Sequence, residues 1–510
     1  MTSNLFEIFR TRFPHDRSRP FIRRPDGRVF SYEDLETISG RIAALLLDLK
    51  VAPGDRVAMQ VEKSAEAVFL YLACLRAGAV FLPMNTGYRP DELDYFIADA
   101  EPAVVVADPG AKALAEVCAA CGVPYVLTLD AKGQGTLMSR AAGLTPLAGS
   151  IARAETDLAA ILYSSGTTGK PKGVMLSHSN LAANAAALHE VWKFGPQDVL
   201  LHTLPIFHVH GLFVALNTVL MNGTGMIFHA RFTPEDVIVD LPKATVFMGV
   251  PTYYVRLLAT PAFTKGAAAR VRLFISGSAP LLDETFRAFE ERTGKQILER
   301  YGMTEACIIT SAHIKRARTA GAVGWPLPGL VLRVADETGH PVPNGTTGEI
   351  QIKGPSVFRG YWRKPEKTAE DFTVDGFFKT GDLAQLDPDG MVNIVGRAKD
   401  MMISGGFNVY PKEIETAIDG MPGVAESAVV GMPHPDFGEA GLAIITMNAG
   451  APALTAEKVR AALKESLASY KVPKMIVFAD ALPRNTMGKV QKNLLRQDYR
   501  AGWDAALVKT

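Results

Sequence analysis

Tyr163-Ser-Ser-Gly-Thr-Thr-Gly-Lys-Pro-Lys-Gly-Val174 is the stretch on which the reading of this chain turns. Upstream, the apolar run 158–162 reads as a short buried strand. Downstream, Ser177-His-Ser-Asn-Leu181 reads as a helix start. Ser164, Ser165, Gly166, Thr167, Thr168, Gly169, Lys170 and Lys172 combine backbone that can approach a ligand closely, hydroxyl donors and positive charge. That is the composition of a phosphate cradle. It is not a Walker A loop, whose first glycine stands further from a Gly-Lys pair that Ser or Thr follows. Here only Thr167 and Thr168 separate Gly166 from Gly169-Lys170, and Pro171 comes next.

Working outward, residues 1–160 alternate helical and extended patterns. Ser31 is placed to cap a helix reaching residue 49, with Leu35, Ile38, Ile42 and Leu45 on one face. Short apolar strands at 56–61, 79–83 and 103–107 are separated by helices, which implies parallel sheet covered on its faces. Residues 161–330 continue this alternation, with apolar segments ending in the loops Leu204-Pro-Ile-Phe-His-Val-His-Gly211, Leu273-Phe-Ile-Ser-Gly-Ser-Ala-Pro280 and Tyr301-Gly-Met-Thr-Glu305. Ligands of open α/β sheets bind beyond the carboxyl ends of strands, where such loops converge. From about residue 349 the texture is β-rich, with a turn at Asp387-Pro-Asp-Gly390. A small α+β unit follows, with helices at 411–418 and 456–469. The expected fold is α/β, with an N-terminal domain over 1–398 of parallel-rich αβα sheets plus a β-rich subdomain, and a small α+β domain over 399–510.

Composition narrows the function. At 510 residues, more than one domain is expected. With 54 Lys and Arg against 53 Asp and Glu, no net field draws nucleic acid or an anionic membrane. No apolar run is long enough to predict a spanning helix, and the N-terminus lacks a signal-peptide pattern. Four cysteines suggest a reducing compartment, and Cys118 and Cys121 read as packed thiols. The expectation is a soluble, cytoplasmic enzyme.

The loop at 163–174 resembles, nearly letter for letter, the phosphate-loop signature of the adenylate-forming superfamily: acyl- and aryl-CoA synthetases, peptide-synthetase adenylation domains and firefly-type luciferases. The similarity runs through the whole chain with every core motif in order. Phe378-Lys-Thr-Gly-Asp382 and Gly396-Arg-Ala-Lys-Asp400 match the superfamily's ribose motifs, which makes Asp382 and Arg397 the expected partners of the ribose hydroxyls. In Tyr301-Gly302-Met303-Thr304-Glu305 the resemblance implies that Tyr301 packs on adenine and that Glu305, with Thr167, holds Mg²⁺. Ser276, Gly277, Ser278, Ala279 and Pro280 resemble the loop lining the adenine and part of the acyl pocket. Lys489, in Pro483-Arg-Asn-Thr-Met-Gly-Lys489, occupies the position of the family's adenylation lysine; Arg484 stands where that pattern often has Lys.

The implied reaction runs in two halves, acid plus ATP to acyl-AMP and pyrophosphate, then acyl-AMP plus CoA to acyl-CoA and AMP. The first step opposes two anions, so catalysis rests on positioning and positive charge. Lys399 matches the hinge position. Ser404, Gly405 and Gly406 resemble the segment that lines the CoA channel after the C-terminal domain rotates. In several relatives the adenylation lysine is reversibly acetylated, which makes an acetyltransferase and a deacetylase candidate partners at Lys489.

For the acid, Phe207-His-Val-His-Gly-Leu-Phe213 and Phe228-His-Ala-Arg-Phe232 look like the corresponding segments of malonyl-CoA synthetases. That similarity implies malonate or methylmalonate as substrate, His208 beside the reacting carboxylate, and Arg231 on the distal one. His210 lies nearby, and Val209 and Met303 limit substituents at C2. Arginine suits bidentate capture of a carboxylate. The alternatives are a synthetase for another short, medium-chain or aromatic acid and, from a different class, a non-catalytic nucleotide-binding regulator. The regulator would have no use for Lys489.

Overall fold

The computed structural model describes residues 3–164, 171–316, 318–404, 407–485 and 488–507. Four sheets organise them. The first has six strands in the order Tyr125–Thr128, Val104–Ala107, Arg56–Gln60, Val80–Pro83, Leu158–Ser164 and Lys172–Ser177. All its pairings are parallel except the last. The second has nine strands, with a parallel centre built from Ile297–Met303, Leu273–Ser276, Val246–Gly249, Val199–His202 and Gly225–Phe228. An antiparallel four-stranded sheet spans Val331–Ala335 to Val392–Arg397. A five-stranded sheet begins at Met402–Ser404.

The helix Ala65–Ala77 is buried along its whole length. A helix that is apolar all round must lie between layers rather than on one. Its Phe69 ring meets Phe30 of the nine-stranded sheet at 5.4 Å, and Tyr71 meets Phe81 of the six-stranded sheet at the same separation. Ser64 starts this helix by accepting from the Ala67 N–H, and Gly78 ends it in the left-handed region at φ 73°. Ser31 likewise caps Tyr32–Asp48 through a capping box with Asp34, and Ser177 caps His178–Trp192 with Asn180.

Two local expectations are corrected. The chain does not pass from the glycine-rich stretch straight into a helix: the strand Lys172–Ser177 comes first and pairs antiparallel with Leu158–Ser164. In the C-terminal domain, the helix expected to reach residue 469 ends at Ser466. Leu467 is extended there, and Ser469–Lys471 forms a 3-10 turn that brings Tyr470 against Phe407 with ring centroids 4.6 Å apart.

The antiparallel sheet ends at Arg397, a single 3-10 turn Ala398–Asp400 follows, and the next sheet starts at Met402. Asp400 is tied to Arg496 of the C-terminal helix Lys492–Asp498 at 3.1 Å.

Candidate active site

The parallel strands of the nine-stranded sheet deliver their carboxyl ends to one region, and the residues after each end supply the site. Beyond Val199–His202 the chain forms a loop and then a π-helical turn, His210–Leu216. Such turns are rare and concentrate at functional sites. Gly211 allows this geometry, because a Cβ there would lie 2.1 Å from the Pro205 carbonyl oxygen.

The His210 N–H donates to Nδ1 of His208 at 3.2 Å, so the proton of neutral His208 resides on Nε2. Burial, with the positive Lys489 and Arg300 nearby, pushes the His208 pKa down to about 3. Burial and Arg300 hold His210 well below its usual range as well. His210 Nδ1 and the Ser278 hydroxyl share a hydrogen bond at 3.2 Å. Ser278 adopts φ 73°, a strained backbone for a residue with a Cβ, and strain of this kind clusters at functional sites. Buried His210 Nε2 and Ser276 Oγ have no hydrogen-bond partner among the described residues.

Another part of the site is an antiparallel pair in which Asp382 faces Arg397. Arg397 Nε lies 2.8 Å from Asp382 Oδ1, and the Tyr301 hydroxyl donates to Oδ2 at 2.5 Å. Asp382 is 4 % exposed and its backbone N–H donates to the Thr380 hydroxyl oxygen. These contacts fix the carboxylate at the strand's edge, beside the tyrosine ring. Gly302 follows, where a Cβ would meet the Cys307 carbonyl oxygen at 1.9 Å, and Met303 and Thr304 are half-buried. Buried Glu305 accepts a hydrogen bond from Tyr361 at 3.3 Å, and desolvation raises its pKa. Lys172 bonds Asp371 at 3.5 Å and sits 4.0 Å from the Tyr361 ring centroid.

Lys489 arrives from the C-terminal domain on a tight turn. The Asn485 N–H donates to the Lys489 carbonyl oxygen, Asn485 Oδ1 accepts from the Lys489 N–H, and Gly488 takes φ 75°. The side chain keeps surface open to the cleft, yet protein surrounds it. Desolvation and the charge of Arg397 lower the Lys489 pKa, against the opposing pull of Asp382 and Glu305. Lys489 is therefore within electrostatic reach of both the ribose pair and Glu305. Beneath its turn lies a cavity walled by Leu204, Val250, Tyr253 and Arg256 on one side and by Asn485 and Gly488 on the other.

Of the residues singled out in the sequence, the structure brings together His208, His210, Ser276, Gly277, Ser278, Tyr301, Glu305, Asp382, Arg397 and Lys489. Val209 is buried beside the two histidines. Arg231 is exposed, and the following Phe232 stacks on Tyr253 at 3.8 Å with Arg256 over its other side at 5.1 Å. Ala279 is half-buried and Pro280 exposed; Ser404 is buried and Lys399 exposed in the interdomain turn. Ser165, Gly166, Thr167, Thr168, Gly169, Lys170, Gly405 and Gly406 lie outside the described residues. Sequence reasoning missed Arg256 and Arg300. The first looked like the polar face of a helix and the second like part of a strand, and only tertiary placement brings them to the site.

A carboxylate held between a guanidinium and a tyrosine hydroxyl, with a lysine brought beside them from the C-terminal part of the chain, fits a nucleotide-dependent acid-activating enzyme. Comparison with known proteins agrees. Residues 9–362 match the AMP-binding enzyme family and residues 413–489 its C-terminal domain. The chain belongs to this family and is an AMP-forming acyl-CoA synthetase, with ATP and CoA as substrates. It is 35% identical over 487 residues to a feruloyl-CoA synthase of an Amycolatopsis species, covering 93% of this chain and 95% of that one. It is 33% identical over 552 residues to a malonate–CoA ligase of Arabidopsis thaliana, covering 97% and 89%. Among solved structures, ATP-bound MatB from Rhodopseudomonas palustris is 51% identical and superposes with a TM-score of 0.95 over 98% of this chain and 99% of that one.

Proposed function

We propose that the enzyme is a malonyl-CoA synthetase: malonate, ATP and CoA give malonyl-CoA, AMP and pyrophosphate by way of malonyl-AMP, with methylmalonate also accepted. The observation that carries this reading is the chemistry of the acyl region. An alkyl or aryl chain would leave His210 Nε2 and Ser276 Oγ unsatisfied at a cost of about 1–3 kcal/mol each. A second carboxylate would satisfy them. Arg256 in the wall and Arg231 beside the stacked Phe232–Tyr253 pair supply positive charge at the mouth, Arg231 for the distal carboxylate. The malonate–CoA ligases among the relatives support the same acid.

In this reading Asp382 and Arg397 hold the ribose and Tyr301 packs on the adenine. His208, neutral with its proton on Nε2, donates a hydrogen bond to the reacting carboxylate without competing for charge. Lys489 bridges that carboxylate and the α-phosphate, offsetting charge as the acyl–phosphate bond forms and pyrophosphate leaves. Glu305 fits a Mg²⁺ ligand: it is a buried carboxylate without a cation partner among the described residues, and Thr167 would join it. That ion would neutralise phosphate charge. Turning about Lys399 would withdraw Lys489 and bring Ser404, Gly405 and Gly406 to the site for thioester formation. Acetylating Lys489 would block the first half-reaction alone.

AMP formation with CoA across malonate, methylmalonate, succinate, acetate and octanoate tests the assignment. Malonate or methylmalonate should give the highest kcat/KM; a preference for octanoate would overturn the choice of acid and leave the adenylation chemistry standing.

A further inference from the structure

A buried lysine that the chemistry above does not use stands behind the π-helical turn. Lys63 lies between the strand Arg56–Gln60 and the helix Ala65–Ala77 and is 7 % exposed. Burial lowers its pKa, and no carboxylate offsets the shift. Its Nζ donates to His202 Nδ1 at 2.9 Å and to the His202 carbonyl oxygen at 3.0 Å. The same nitrogen stands 4.2 Å from the centroid of the Phe228 ring. Two acceptors and one aromatic face thus account for its three N–H groups.

His202 closes the strand Val199–His202, is buried, and has its Nε2 2.8 Å from the Gly211 carbonyl oxygen. A carbonyl only accepts, so Nε2 carries the proton and Nδ1 keeps the lone pair that Lys63 fills. Burial and the Lys63 charge keep His202 neutral. In the other tautomer two acceptors would face each other in the interior, at Gly211. That glycine is the second residue of the π-helical turn and follows His210, whose N–H bonds His208 Nδ1. The Leu212 N–H returns to the His208 carbonyl oxygen at 2.9 Å, so this end of the turn and His208 are tied together. Packing alone does not account for a lysine here, because an apolar side chain of similar volume commonly serves a buried position as well or better.

We infer that Lys63 is a positioning residue for adenylation: through His202 it fixes the imidazole tautomer that pins the π-helical turn and so aims His208 at the reacting carboxylate. This rests on the role proposed for His208 and adds the two residues that stand behind it. Neither touches the substrate.

The test compares wild type, Lys63→Met, Lys63→Gln, His208→Ala and the double variant Lys63→Met/His208→Ala. Pyrophosphate release is followed with whichever of the five acids above the enzyme uses best, alongside the KM for ATP and the melting temperature. Lys63→Met should keep or raise the melting temperature while kcat for adenylation falls about 10- to 100-fold. A merely structural lysine would give the opposite pairing. The KM for ATP should stay within about threefold. Lys63→Gln, whose amide N–H can donate to Nδ1, should recover part of the loss, and Lys63→Met should add little to His208→Ala. Magnetic resonance of isotope-labelled histidine should show His202 protonated on Nε2 in the wild type, a readout that needs no Lys63 variant to fold. A wild-type His202 protonated on Nδ1, a Lys63→Met enzyme with full activity, or a loss that adds in full to that of His208→Ala would overturn the inference while the choice of acid stands. A His208→Ala enzyme that adenylates at the wild-type rate would overturn both the inference and the role proposed for His208.

Discussion

Asp382 is held from two sides at once, by Arg397 Nε at 2.8 Å on one carboxylate oxygen and by the Tyr301 hydroxyl at 2.5 Å on the other. The carboxylate, the tyrosine ring and the guanidinium are therefore one unit, preorganised to serve the ribose and base roles proposed for them.

Asp382→Asn should raise the KM for ATP while leaving the KM for the acid nearly unchanged. It should also lower stability by roughly 2 kcal/mol, less than for a fully buried pair because Arg397 keeps 35 % of its side chain exposed. Initial-rate kinetics with each substrate varied, together with denaturant unfolding, check both. Equal shifts in the two KM values would show that Asp382 serves the fold rather than the nucleotide.

His208 is neutral throughout the working range, since its pKa lies near 3. A pH profile of kcat/KM between about pH 5.5 and 8 should contain no imidazole limb that disappears in His208→Gln. Because glutamine can present an N–H close to the Nε2 position, that variant should retain more activity than His208→Ala, which should fall by about 10²-fold. A limb near pH 6.5 that vanishes with the substitution would mean the histidine works as a base.

Glu299, buried on the strand that also carries Arg300, accepts the Gly321 N–H at 2.8 Å, and desolvation pushes its pKa up to about 8. The sign is fixed by proton binding. Between the ordinary value of 4.5 and about 8 the native state retains a proton that the unfolded chain has released. Stability therefore falls as pH rises through that window and is unaffected below it. Glu299→Gln should flatten this dependence and stabilise the protein at pH 8 by an amount on the order of 2 kcal/mol. Chemical unfolding at pH 5 and pH 8 reads it directly; an unchanged slope would mean the carboxyl is ionised in the native protein.

Arg231→Ala should raise the malonate KM far more than the propionate KM, because a monoacid has no second carboxylate for the guanidinium to hold. Its guanidinium is exposed, so part of its attraction for the dianion is screened by salt. Steady-state kinetics at low and high salt check this. Parallel losses on malonate and propionate would remove Arg231 from the distal carboxylate.

Local chemistry made much of the fold legible. Ser31 and Ser177 both cap the helices that their positions announced, and the short apolar runs at 56–60, 80–83 and 104–107 became parallel strands, because burial on both faces demands continuous apolar sequence. The strand Lys172–Ser177 escaped notice because its burial alternates imperfectly and lysine and glycine open it. The π-helical turn at His210–Leu216 has no sequence period of its own, and its apolar run reads equally as strand or helix. At the site, the motif residues were readable because each chemistry demands a residue type at a fixed spacing. Arg300 was not, since nothing local distinguishes a buried, unpaired guanidinium from an exposed one; the contact with Gly277 across neighbouring strands decides it.

Lys489 reaches the site only because the C-terminal domain carries it there, between Arg397, Asp382 and Glu305. The most direct test is to separate the two half-reactions in Lys489→Ala, measuring pyrophosphate release from malonate and ATP, and independently malonyl-CoA formation from supplied malonyl-AMP and CoA. Adenylation should fall by about 10³-fold while thioester formation stays near the wild-type rate. Equal loss of both steps would contradict a lysine that serves the first reaction and withdraws for the second.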